Sequence, residues 1–210
     1  MTITHHLDEA TLMSFAAGSL PNALAAIAAA HIAVCPRCRR ELGMLERIGG
    51  ALVSALAPAN LDRSQPAMPG IVSLPAQPPT PAAAGEVPAP LGQLIGGGLD
   101  EVRWRWIGPG LWHRPLHIRG EGSLQLIKAA PGASVPEHTH SGSEITLVLR
   151  GALIDSTGRY VPGDVADLDE DIEHTPIADA KVGCICVIAN ESPTRFRGLL
   201  ARLMQPWHGL

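Results

Sequence analysis

Between Pro58 and Pro90 the chain places nine prolines among alanine, glycine and glutamine, with no sustained apolar period. Proline fixes φ and lacks an amide donor, so such a stretch neither propagates a helix nor enters the middle of a sheet. The residues on its two sides follow different periods, which predicts two bodies of different kind joined by a linker. The expected organisation is a helical domain over 1–57, a Pro/Ala-rich linker over 58–90 and a β domain over 91–210, an α + β two-domain chain.

The first body reads as three helices. Asp8 to Ala17 forms a short one ended by Gly18, Leu20 to Val34 a second with Pro21 near its start, and Pro36 to Leu56 a longer third. The third carries two apolar rows, Leu42-Leu45-Gly49-Leu52-Leu56 and Met44-Ile48-Ala51-Ala55. That is wider than a small bundle needs, and the surplus row reads as a surface for a partner.

A bundle this small buries little surface and gains from a staple. His31, Cys35 and Cys38 supply one at the junction of helices two and three. His31 and Cys35, four apart, share a helix face, and Pro36 restarts the helix so that Cys38 falls in its first turn. Tetrahedral zinc takes four such ligands. The fourth is expected from helix one, and His5 and His6 are the other histidines of this half; His6 is preferred because it lies nearer the helix start. The set is therefore His6, His31, Cys35 and Cys38, binding Zn2+.

That pattern, H-x3-C-x2-C between two helices with an upstream histidine, resembles the zinc-binding anti-sigma domain. The resemblance implies a partner: an extracytoplasmic-function sigma factor, gripped in a 1:1 complex. A DNA-reading zinc module is the competitor prompted by "CPRCRR". Over 1–57, however, four arginines are balanced by Asp8, Glu9, Glu41 and Glu46. Phosphate binding has too little net charge to work with, and no direct nucleic-acid partner is expected.

The second body alternates with period two through "LQLIKA", "EITLVLRGALID", "VGCICVIAN" and "FRGLLARLMQ", punctuated by Gly108-Pro109-Gly110, Pro131-Gly132, Ser141-Gly142 and Pro162-Gly163. An antiparallel barrel or sandwich is expected, with a barrel of the cupin jelly-roll kind preferred. Gly132, His138, His140, Glu144 and Gly151 stand at every fixed position of the first cupin motif, G-x5-H-x-H-x3-E-x6-G. His138 and His140, two apart on a strand, face the same way. His174, about ten residues past the Pro162-Gly163-Asp164 turn, completes a set of His138, His140, Glu144 and His174. Three imidazoles and a carboxylate suit Zn2+ or another divalent transition metal. Cys184 and Cys186 read as buried structural thiols on one face with Val182 and Ile188, and His113, His117 and His208 receive no role.

The two motifs in this order resemble ChrR-type regulators. The resemblance implies an anti-sigma factor that releases its sigma factor under singlet oxygen or organic peroxide. The alternative is a cupin metalloenzyme, such as a dioxygenase, with the zinc bundle as a docking module. The N-terminus lacks a secretory pattern and the alanine-rich run is too short to span a bilayer, so a cytoplasmic protein with no membrane partner is expected.

Overall fold

Asp8 ends an extended N-terminal segment and starts the first helix, its side chain accepting the Ala10 amide at 2.8 Å. Helix α1 runs Glu9–Ala16, α2 Asn22–Val34 and α3 Pro36–Ser54. The structure, a computed structural model, describes residues 2–58, 86–135, 142–169 and 175–192, with the backbone alone at 138–139 and 195–196. Most of the expected linker lies outside the described residues.

Cys35 is both the last cap of α2 and the first cap of α3, extended at φ −98°, with Pro36 opening the new helix. The carbonyls left over at the end of α2 are met by Arg39, whose guanidinium donates to Ile32 O and, at 2.6 Å, to Ala33 O. Arg37 pairs with Glu41 one turn on. Two of the basic residues in "CPRCRR" are thus spent on the helix joint.

The β half is two-layered. Strands β1 (Arg105–Gly108), β2 (Leu111–Leu116), β3 (Ser123–Ala129), β5 (Glu144–Gly151), β8 (Val165–Leu168) and β10 (Cys184–Asn190) make an antiparallel sheet in the order β1-β2-β3-β10-β5-β8. Opposite it lies a three-stranded sheet of β6 (Leu153–Ile154), β7 (Arg159–Tyr160) and β9 (Ile177–Ala178), ordered β7-β6-β9. A third pair joins β4 (His138–Thr139) to β11 (Arg195–Phe196). Among the described residues these sheets are hydrogen-bonded separately, so the expected barrel is an open jelly roll and not a closed cylinder. Gly151, where β5 turns toward β6, adopts φ +77°, and a Cβ there would stand 2.1 Å from the Gly183 carbonyl. Only glycine fits this motif position.

Both faces of the large sheet are covered. Leu111, Ile127, Ala129, Val148, Ala166, Leu168, Cys184 and Cys186 face inward toward Leu153, Tyr160 and Ala178 of the small sheet. Leu126, Ile145, Leu147, Val165, Ile185 and Val187 face outward, into a cluster that also holds Leu24, Ile27, Ala28 and Ile32 of α2. Helix α2 is apolar on nearly every side because, between its neighbouring helices and the sheet, all its residues but Asn22 are buried or half-buried.

A short helix, α4 (Ala89–Ile95), was not anticipated. It lies against α2, with Leu91 fully buried and Leu94 and Ile95 packed on the same cluster; Gly96 in the left-handed region ends it. Strand β1 begins at Arg105, and β2 and β8 were not among the expected runs. Of "FRGLLARLMQ" the structure describes the backbone of Phe196 alone.

Candidate metal centres

At the α2–α3 joint four side chains converge. One ligand atom from each of His6, His31, Cys35 and Cys38 lies within 4.8 Å of the others. His31 Nε2 is 3.3 Å from Cys38 Sγ, and His6 Nδ1 is 3.3 Å from Cys35 Sγ and 3.8 Å from Cys38 Sγ. A tetrahedron with Zn–S of about 2.3 Å and Zn–N of about 2.0–2.1 Å has N–S edges of about 3.6 Å. The observed separations bracket that edge, so the donor set fits a zinc ion in size as well as in chemistry.

The protonation states suit the role. His31 is fully buried, and its other nitrogen, Nδ1, donates to the Gly163 carbonyl at 2.9 Å, which leaves the Nε2 lone pair aimed at the centre. Burial drops its pKa to about 4, so it stays a neutral ligand. His6 is lowered as well, by burial and then by Arg37. Burial pushes the Cys38 thiol up to about 12, so a cation entering the centre replaces a proton. His5 stands apart: its ring packs tilted against Tyr160, centroids 4.3 Å apart, and its Nδ1 lies 3.2 Å from Asp164 Oδ2.

The β half presents one described member of the second set. Glu144 is 3 % exposed on β5 and faces inward, opposite Asn190 of β10 and Leu168 of β8; Thr146 donates to its Oε1 at 3.4 Å. The backbone of His138 is on β4, while its side chain, His140 and His174 lie outside the described residues. Three buried polar side chains that sequence reasoning passed over share this interior: His113, Gln125 and Asn190. His113 Nδ1 is 3.4 Å from Gln125 Oε1. The register places His113 opposite Ile127 and Asn190 opposite Ser123, so all three fall on the inward face by strand alternation once β2 is known to be a strand.

Cys184 and Cys186 are buried on that inward face with Ile188 packed beside them. Their contact with each other and their burial hold the Cys186 thiol well above its ordinary range. Val182 does not share the face: it sits 65 % exposed beyond the strand, in the turn from Asp179 to Gly183.

On α3, Leu42 and Leu45 pack inward, whereas Met44, Ile48, Leu52 and Val53, and Leu56 just past its end, are exposed by half or more. The surplus row is uncovered, and Leu52 and Leu56 of the other row join it. Among the described residues no helix is long and apolar enough to cross a membrane.

The profile of the ChrR cupin-like domain matches residues 94–193. Among solved structures the chain is similar to the crystal structure of Rhodobacter sphaeroides SigE in complex with the anti-sigma ChrR, with a TM-score of 0.76 and 38% identity, over 90% of this chain and 99% of that one. It is 39% identical to the anti-sigma-E factor ChrR of Cereibacter sphaeroides across 99% of both chains. With that likeness running from the helical centre through the jelly roll, the chain belongs to the ChrR family of anti-sigma factors.

Proposed function

We propose that this protein is a cytoplasmic anti-sigma factor that holds an extracytoplasmic-function sigma factor in a 1:1 complex through its helical half and releases it on an oxidative signal. The observation that carries the reading is the exposed apolar row Met44, Ile48, Leu52 and Leu56, on a helix whose first turn is fixed by the four-residue centre. Contiguous apolar surface of this kind marks a protein partner, and the related ChrR structure is a complex with SigE. The N-terminal centre binds Zn2+ structurally, because four protein ligands leave no position for substrate. The cupin half receives the signal, singlet oxygen or an organic peroxide, at a divalent transition metal held by His138, His140, Glu144 and His174. Glu144, buried and inward-facing, supports that assignment. The protein acts by binding and carries out no turnover.

In vitro transcription tests this. Purified protein added to RNA polymerase and an extracytoplasmic-function sigma factor of the same organism stops transcription from that factor's promoter at one protein per sigma factor, and the oxidant restores it. Oxygen-consuming turnover of a small molecule, with transcription unaffected, would replace this reading with the metalloenzyme.

A further inference from the structure

We propose that the turn Pro162-Gly163-Asp164 of the cupin half positions the N-terminal metal centre: Gly163 and Asp164 hold the imidazoles of His31 and His6, so retention of the metal depends on the jelly roll. The proposal rests on reading His6, His31, Cys35 and Cys38 as a metal centre. Its two thiols come from the α2–α3 joint alone. Both imidazoles, in contrast, are tied to this one turn across some 130 to 160 residues of chain.

For His31 the tie is direct, through the Nδ1–H bond to the Gly163 carbonyl at 2.9 Å. For His6 it runs through the two residues before it. The Thr4 and His5 amides both donate to Asp164 Oδ1, at 2.7 and 3.0 Å. Asp164 Oδ2 takes the Val161 amide at 3.0 Å, with His5 Nδ1 at 3.2 Å and the Thr4 hydroxyl at 3.3 Å. The carboxylate has no solvent exposure and both its oxygens are occupied by donors. Ile3 packs where a Cβ on Gly163 would come to 3.0 Å, so residues 3–5 follow the turn closely. A solvated N-terminal tail would make none of these bonds, and a self-sufficient helical centre would orient His31 on a helical carbonyl.

The turn is also wired to the jelly roll's interior. The Gly163 amide donates to Val148 O at 2.9 Å, and the Val148 amide to Asp164 O at 3.1 Å. Val148 belongs to β5, the strand of Glu144, and Asp164 leads directly into β8, whose Leu168 is paired with Glu144. A shift of β5 or β8 therefore moves the groups that aim the two imidazoles. By linkage, whatever changes the turn changes metal retention, and metal loss changes the turn by the same factor.

The test uses full-length protein loaded with Co2+, whose sulfur-to-metal charge-transfer band reports the thiolate centre, and with Zn2+ challenged by a colorimetric chelator. Asp164→Ala is expected to speed metal loss from that centre by about 10- to 100-fold and to shift the Co2+ band. Asp164→Asn keeps the side chain's shape and is expected to fall between Asp164→Ala and wild type, which decides the matter if Asp164→Ala does not fold. Arg150→Ala, which cuts the pairs to Glu86 and Asp100 elsewhere on β5, is expected to leave the rate unchanged. Wild-type rates and an unshifted band in both Asp164 variants, with the band absent in Cys35→Ser/Cys38→Ser, overturn the positioning role and leave the centre standing. A wild-type protein without the thiolate band removes the centre itself, and the proposal with it.

Discussion

Asp164 and Asp167, three residues apart at the start of β8, have carboxyls displaced in opposite directions. Burial works against both charges. At Asp164 the hydrogen bonds from Val161, Thr4 and His5 outweigh it and hold the carboxyl below its ordinary value of 3.8. At Asp167 burial wins over the Asp8 amide and the Thr11 side chain, and the carboxyl is raised above 3.8. One side chain is built to be an anion, and its neighbour is an anion at a cost.

The two therefore respond oppositely to acid. A raised folded pKa means the folded state binds more protons than the unfolded one just above pH 3.8, so Asp167 lowers stability as pH rises through its folded value. Asp167→Asn keeps an oxygen to accept the Asp8 amide and sheds that burden. It is expected to raise the melting temperature at pH 7, followed by circular dichroism. An unchanged or lower value would show that ionised Asp167 is better compensated than its surroundings indicate.

Without a metal at the N-terminal centre a second pH dependence is expected. His31 has a folded pKa of about 4 against 6.5 unfolded, so between these values the unfolded chain binds the extra proton and stability falls with falling pH. The span corresponds to a loss on the order of 3 kcal/mol. Chelator-treated protein is expected to melt at progressively lower temperature from pH 6.5 down to 4. Cys35→Ser/Cys38→Ser, measured by metal analysis, is expected to hold one zinc fewer than wild type.

The exposed face of α3 gives the cleanest separation of binding from folding. Ile48 is 58 % and Leu52 66 % exposed, so Ile48→Asp and Leu52→Asp are expected to alter unfolding free energy by about 0.5 kcal/mol or less. Placed at the centre of a partner surface, each is expected to weaken sigma-factor binding by about 2 kcal/mol or more, read by isothermal titration calorimetry. Normal binding by both variants would move the partner surface off α3.

Glu144→Ala is expected to inhibit transcription as wild type does but to fail in releasing the sigma factor under oxidant. Comparison of target-promoter activity with and without the oxidant checks this. Release at the wild-type level would leave the jelly-roll site without a part in sensing.

The helices and the N-terminal centre were legible because their signals are local: caps, a proline restart and ligand spacing act within a turn or two. Choosing His6 over His5 needed only its nearness to α1. What the jelly roll does around the centre was not legible. That the carbonyl of Gly163, known from sequence as a turn residue, would accept a hydrogen bond from His31 Nδ1–H depends on α2 packing against the sheet, a contact across more than a hundred residues. Helix α4 was hidden by Pro88 and Pro90, which read as linker but serve as the start of a helix that prolines tolerate in its first turn. His113 was missed because Pro115 argues against the strand β2 that carries it, and Gln125, on the expected strand β3, because a lone polar residue among apolar ones carries no signal of its own.

Leu45 of α3 precedes the proline-rich interval and Leu91 of α4 follows it, and both pack into the cluster centred on α2 and the outer face of the sheet. The interval is thus closed at both ends on one packed body, so covalent continuity through it is expected to be dispensable for that packing. Co-expressed as separate polypeptides, residues 1–58 and 86–210 are expected to complement each other and copurify. On that outcome the length of the stretch 59–85 is free to vary without altering how helices and sheet meet.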